Sequence, residues 1–132
     1  MANSKKQAAL DALDQARRFR EASRAVGGFV FRNIETLKPA ERDRLLGLEL
    51  TLLNLAMDLV TQAVDAALAA GQDDLRELNA ATEKATKAIK RIESAKKAIE
   101  ITTAFIALAA AIPGGDWSAI GKAGKALVDA AQ

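Results

Sequence analysis

Residues 44–64, "RLLGLELTLLNLAMDLVTQAV", form a helix pattern that is apolar around most of its circumference. At 100° per residue the polar positions fall on one narrow strip: Gly47, Thr51, Asn54, Asp58, Thr61 and Asp65. The remainder separates into two rows. One is Leu45, Leu48, Leu52, Leu55 and Leu59, and the other is Leu46, Leu50, Leu53, Met57, Val60 and Val64. An ordinary surface helix carries an apolar arc of roughly 100°. A helix with two such rows requires two neighbours, which places it in the middle of a bundle. A single carboxylate, Glu49, lies between the rows.

Working outward, the punctuation predicts four helices, at about 4–37, 39–70, 74–112 and 116–130. Asn3 or Ser4 can cap the first, whose inner positions run Ala12, Ala16, Phe19, Ser23, Val26, Val30, Ile34 and Leu37. That spacing stays in phase across Gly27 and Gly28, so the two glycines mark either a hinge or a close-packing point in one helix. Pro39 suits the first position of the second helix, and Gly71 supplies its stop. Asp74 with Glu77 has the spacing of a capping box for the third helix, which ends at Pro113-Gly114-Gly115. Asp116 can cap a short fourth.

The third helix shows a seam: Leu75, Leu78, Thr82, Ala85, Ile89, Ile92, Lys96, Ile99, Thr103, Ile106 and Ala110. Its charged member is Lys96. Folding this helix back on the second about Gly71 and Gln72 sets Leu53 opposite Ile92, Val60 opposite Ala85, and Glu49 opposite Lys96. The matched interruptions predict a buried ion pair that sets the register, since neither charge would enter a core alone. The same folding of helix one on helix two brings Gly27 and Gly28 beside Leu48 and Glu49. The expected fold is all-α, one domain over 1–132: an antiparallel up-down-up-down four-helix bundle with two long central helices and a short C-terminal one.

Composition narrows function by what it lacks. The 132 residues include no Cys, His or Tyr, and the net charge is +2. There is no thiol chemistry, no disulfide framework, and neither the commonest general base nor the commonest transition-metal ligand. "GDWSAIGKAGK" fails as a phosphate loop on spacing, on Ala123 in place of the hydroxyl residue, and on the lack of a preceding strand. Acid pairs such as Asp11/Asp14 read as solvated helix charges. No catalytic, cofactor or metal site is expected, and the protein is read as a non-enzyme. The opening "MANSKKQAAL" lacks the apolar core of a secretory signal, and no uninterrupted apolar run reaches the roughly 18 residues of a membrane span. The expectation is a cytoplasmic protein, bacterial in composition.

Two features suggest binding. Arg17, Arg20 and Arg24 form a basic stripe on helix one, diluted by Asp11, Asp14 and Glu21, so nucleic acid is an unlikely partner. Residues 101–115 carry no charge and precede an amphipathic helix, giving a candidate interaction or membrane face of Phe105, Trp117, Ile120, Lys122, Lys125 and Leu127. The leading reading is an adaptor or small assembly protein acting through apolar helix faces, with a protein partner or itself as a homodimer. The alternative is a membrane-active or lipid-binding helical protein using residues 101–131.

Overall fold

The computed structural model describes residues 4–132, and these are all-α. Six α-helices are present rather than four: α1 (Lys5–Arg32), α2 (Pro39–Gln62), α3 (Val64–Ala69), α4 (Gln72–Arg91), α5 (Ala95–Ala111) and α6 (Trp117–Ala131). A short 3₁₀ turn, Ile112–Gly114, joins the last two. Asn3 lies outside the described residues. Ser4 caps α1, its hydroxyl accepting from the Gln7 N–H at 3.2 Å. Glu41 accepts the Lys38 N–H ahead of Pro39, and Asp116 accepts the Ser118 and Ala119 N–H groups. Asp74 acts one turn further in than the sequence suggested: its carboxylate accepts the Gly71 N–H, so α4 begins at Gln72. Gly115 alone has positive φ among the described residues, +72°, a left-handed turn that aims α6 back along the bundle.

The largest departure is the predicted third helix. It is two helices, reversed at Ile92–Ser94. Ser94 caps α5 by accepting the Lys97 N–H at 3.2 Å. On the other side, Arg32 Nη2 donates to the carbonyl oxygens of Ile89 (3.0 Å) and Ile92 (3.3 Å), satisfying groups that the end of α4 would otherwise leave open. The seam holds through Leu78, Thr82, Ala85 and Ile89, all buried. Beyond the reversal it fails, because α5 buries Ala98, Ile101, Phe105 and Leu108 in place of Ile99, Thr103 and Ile106. The predicted second helix is also divided, at Ala63, and α1 stops at Arg32 rather than continuing to Leu37. Ile34 is consequently exposed.

The longer helices pack in the cyclic order α1, α2, α5, α6, α4 and back to α1. α1 and α2 are antiparallel, joined by a short turn. α4 runs in the direction of α1: buried Gln15 donates to Asn79 near its start, and Arg32 reaches Ile89 near its end. One apolar cluster draws side chains from all six helices. At its centre Phe19 of α1 meets Phe105 of α5 edge to face, centroids 5.8 Å apart. Leu45, Leu52 and Leu59 of α2 are fully buried in the same cluster. The buried Thr102 hydroxyl is satisfied within its own helix, donating to Ala98 O at 2.7 Å.

Replacing Ser94 by Ala removes the α5 cap and should cost about 1 kcal/mol in chemical denaturation. If α4 and α5 were one continuous helix, Ser94 would be an interior position and the substitution would instead be neutral or mildly stabilising.

Candidate interaction face

α2 has α1 and α5 as its neighbours; the row Leu45, Leu48, Leu52, Leu55 and Leu59 faces inward. No helix covers its second row. Leu46 (43%), Leu50 (58%), Met57 (62%) and Val60 (40%) are exposed. Leu53, half-buried, stays outside the core cluster, while Val64 packs against that cluster from its edge. The 4-3-4-3 spacing that should have met a second neighbour therefore remains open to solvent. The break at Ile92–Ser94 leaves α4 against α1 and α6, so that of the two halves of the predicted third helix only α5 lies against α2.

α1 contributes a parallel exposed row. Leu10 and Leu13 lie at one end, each 51% exposed, and Phe31 at 82% lies at the other, with Ile34 at 48% in the turn beyond the helix. Arg17, Arg20 and Arg24 occupy the middle at the same heptad spacing, all exposed. Arg17 is held by Asp14 (2.7 Å) and Glu21 (2.8 Å), and Arg18 also reaches Asp14 (2.9 Å). Partial burial pushes the Asp14 carboxyl up, but hydrogen bonds from Arg18 and Arg17 outweigh it and hold it below the usual carboxylate range. Arg20 and Arg24 make no ion pair among the described residues.

Glu49 joins the two rows. Its carboxylate lies against Gly27, where a Cβ would fall on Oε2, and the buried Ser23 hydroxyl donates to its backbone carbonyl at 3.1 Å. The expected proximity of Gly27 to Glu49 is thus present; Gly28 instead has room for a Cβ, the nearest atom being Arg32 Nη1 at an ordinary contact distance of 3.9 Å. α1 runs through both glycines without a break, so they form no hinge here.

The expected ion pair is absent. Lys96 is exposed at the start of α5, and no salt bridge joins it to Glu49. Without a cation, burial alone raises the half-buried Glu49 carboxyl above its usual range. The matched defect failed as a register signal because Lys96 lies after the reversal, where a heptad count through Ile92–Ser94 no longer describes one helix.

The C-terminal residues predicted as one binding face are divided by the fold. Phe105, Ile120 and Leu127 are buried in the core. Lys122 and Lys125 are exposed, and half-buried Trp117 donates its indole N–H to Ala66 O at 3.0 Å, tying α6 to α3. A groove of about 430 Å³ runs between α4 and α6, floored by Ala81, Gly121 and Gly124 and rimmed by Asp74, Glu77 and Lys125. Small residues at the crossing open it, a feature that helix counting alone did not reveal. Among the described residues no cluster of three or more acids could hold a metal. By length and composition, α2 and residues 95–114 are both apolar enough to cross a membrane, which the count of uninterrupted apolar residues had missed.

Compared with known proteins, the chain matches no family model, no curated protein and no solved structure.

Gly28→Ala should stabilise the fold by about 0.5–1 kcal/mol, since a helical Gly gives way to Ala without a clash. Gly27→Ala should gain less, because the Glu49 carboxylate must move. Because burial raises the Glu49 carboxyl, the folded chain holds that proton to higher pH than the unfolded chain does, and stability falls as Glu49 ionises. Glu49→Gln at low micromolar concentration should therefore be more stable than wild type at pH 7, by less than about 1 kcal/mol for a group this solvated. The gain should fade as pH drops through the carboxylate range; equal stability at every pH would show that Glu49 is not strained.

Proposed function

We propose that this chain is a non-enzymatic helical interaction module whose binding surface is the open row of α2 together with the adjoining row of α1. The supporting observation is the uncovered run Leu46, Leu50, Leu53, Met57 and Val60. Scattered exposed apolar residues are normal on any protein, but a contiguous heptad row on a two-layer helical hairpin is a docking pattern. The rim suits a partner too, since Arg20 and Arg24 stand exposed at the edge of the row. The chemistry-poor composition agrees with a binding role: with no His, Cys or Tyr, the chain has few groups for acid–base or nucleophilic catalysis. A partner protein, or the chain itself, is the favoured occupant, and nucleic acid is disfavoured by the near-balanced charge.

The test is a pair of substitutions on exposed positions. Leu50→Lys with Met57→Lys should leave the helical circular dichroism unchanged and the unfolding free energy within about 0.5 kcal/mol of wild type for each substitution, as surface changes do. The same variant should lose at least tenfold in binding to whatever co-purifies stoichiometrically with the wild-type chain. Undiminished binding would remove α2 from the function.

A second reading is a membrane-active protein that releases residues 101–131 onto lipid. It draws on the apolar length of residues 95–114 and on the Trp117-led amphipathic helix. That route must first break the Trp117–Ala66 hydrogen bond and expose Phe105, Ile120 and Leu127, a loss of about 1.5–3 kcal/mol for each large side chain. Anionic phosphatidylglycerol vesicles should accordingly leave the chain unfloated and the fluorescence of Trp117, the sole Trp, unshifted. Flotation with a blue shift would favour the membrane reading.

A further inference from the structure

We infer that the groove between α4 and α6 binds a medium-chain carboxylate, its headgroup between Lys84 and Lys125 and its alkyl chain along the floor toward Trp117. The site is separate from the α1/α2 face and does not rest on the reading of that face.

The groove is open because two glycines leave their space unfilled. Gly121 and Gly124 lie inside α6, where glycine weakens a helix. No close approach of a neighbour requires them, since a Cβ at either would meet no atom within 4 Å. Gly124 is nonetheless buried, and so is Ala81 on the facing wall of α4. The space amounts to about 430 Å³, within the range of small-ligand pockets. Leu78, Ile120 and Val128 extend the apolar lining.

Charge is sorted along the groove. α6 starts beside α3, where Trp117 is tied to Ala66, and α3 leads through Ala70 and Gly71 into the start of α4. The two packed helices therefore begin at one end of the bundle and run the same way. Asp74 and Glu77 come early in α4 and share that end with Trp117. Lys84 and Lys125 come late in the lining of their helices and share the other end.

The two ends differ in what they have left to offer. At the acid end, Asp74 already accepts the Gly71 N–H and the Trp117 indole N–H already donates to Ala66. At the basic end, Lys84 and Lys125 are exposed and make no ion pair among the described residues. A complementary ligand carries one negative charge and is apolar along the rest of its length. Like charge at Asp74 and Glu77 repels the headgroup from that end, which sets the direction of binding. Lysine suits the mouth of an apolar groove, because its stem lies along the lining while the ammonium stays in water. Asp74 and Lys84 are ten residues apart, about 15 Å of helix, which is the reach of an extended dodecanoate chain.

Isothermal titration calorimetry with dodecanoate below its micelle concentration should show one molecule bound per chain. Each methylene removed, down to octanoate, should weaken binding by roughly two- to fourfold. Dodecyltrimethylammonium, with the same tail and the opposite charge, should bind at least tenfold more weakly. Trp117, the sole Trp, reports orientation. Dodecanoate brominated on its terminal carbon should quench Trp117 fluorescence strongly, and dodecanoate brominated beside the carboxylate should quench it little. Lys84→Glu with Lys125→Glu, both at exposed positions, should weaken binding at least tenfold. Gly124→Leu fills the floor and should abolish binding; if that variant does not fold, Gly121→Leu on the exposed part of the same wall should reduce it at least tenfold. Leu50→Lys/Met57→Lys should bind dodecanoate as the wild type does. Absence of binding at millimolar dodecanoate, equal quenching by the two brominated chains, or preference for the trimethylammonium would overturn the inference. Binding indifferent to the two glutamates or to the filled floor would also overturn it, as would binding lost on Leu50→Lys/Met57→Lys, which would put the alkyl chain on the α1/α2 face instead.

Discussion

The Arg32 guanidinium at the end of α1 takes the carbonyl oxygens of Ile89 and Ile92, and the surroundings of α2 follow from the chain reversal which that contact supports. A helix end leaves its last four carbonyls without partners inside the helix. Here a charged donor from a neighbouring helix meets two acceptors, and the Ser94 hydroxyl begins the next helix three residues later. The reversal places α4 on the far side of α1, against α6, and brings α5 down beside α2. α2 thereby packs against α1 and α5 along one row and against no helix along the other. An exposed apolar face is a by-product of where one hairpin turns.

The hairpin of α1 and α2 is close because α1 offers Gly27 where α2 offers a carboxylate. Glu49 is tolerated there in part because it is only half-buried, with water still reaching a group that a closed core would force to stay neutral. It lies beside the open row rather than beneath it. The same layer that settles how the two helices meet therefore also places an unpaired charge at the edge of the proposed docking surface. Structure and binding are coupled at this point through one side chain.

Trp117 plays the corresponding part at the other end of the molecule. Its indole hydrogen bond to Ala66 and the buried Ile120 and Leu127 fasten α6 over the uncharged stretch 101–115. A segment whose composition resembles a membrane-active peptide is thus one wall of the core. Composition reports only that a surface must be hidden from water, and the interior of a bundle hides it as well as lipid does.

Much of this was legible in the sequence by itself. Helical class, the caps at Ser4, Pro39 and Asp116, the inner row of α1 through Val30, and the division of α2 into two rows each rest on short-range periodicity or on a local hydrogen bond that neighbouring residues determine. The contact of Gly27 with Glu49 was also legible, because a short turn leaves an antiparallel pair little freedom of register. Tertiary structure alone decided which row of α2 is covered, that Lys96 stands apart from Glu49, and that Phe105 and Leu127 lie inside. The heptad phase runs through Ile92–Ser94 unbroken on paper, while the reversal is completed by Arg32, some 60 residues earlier in the chain. A contact of that separation leaves no periodic trace.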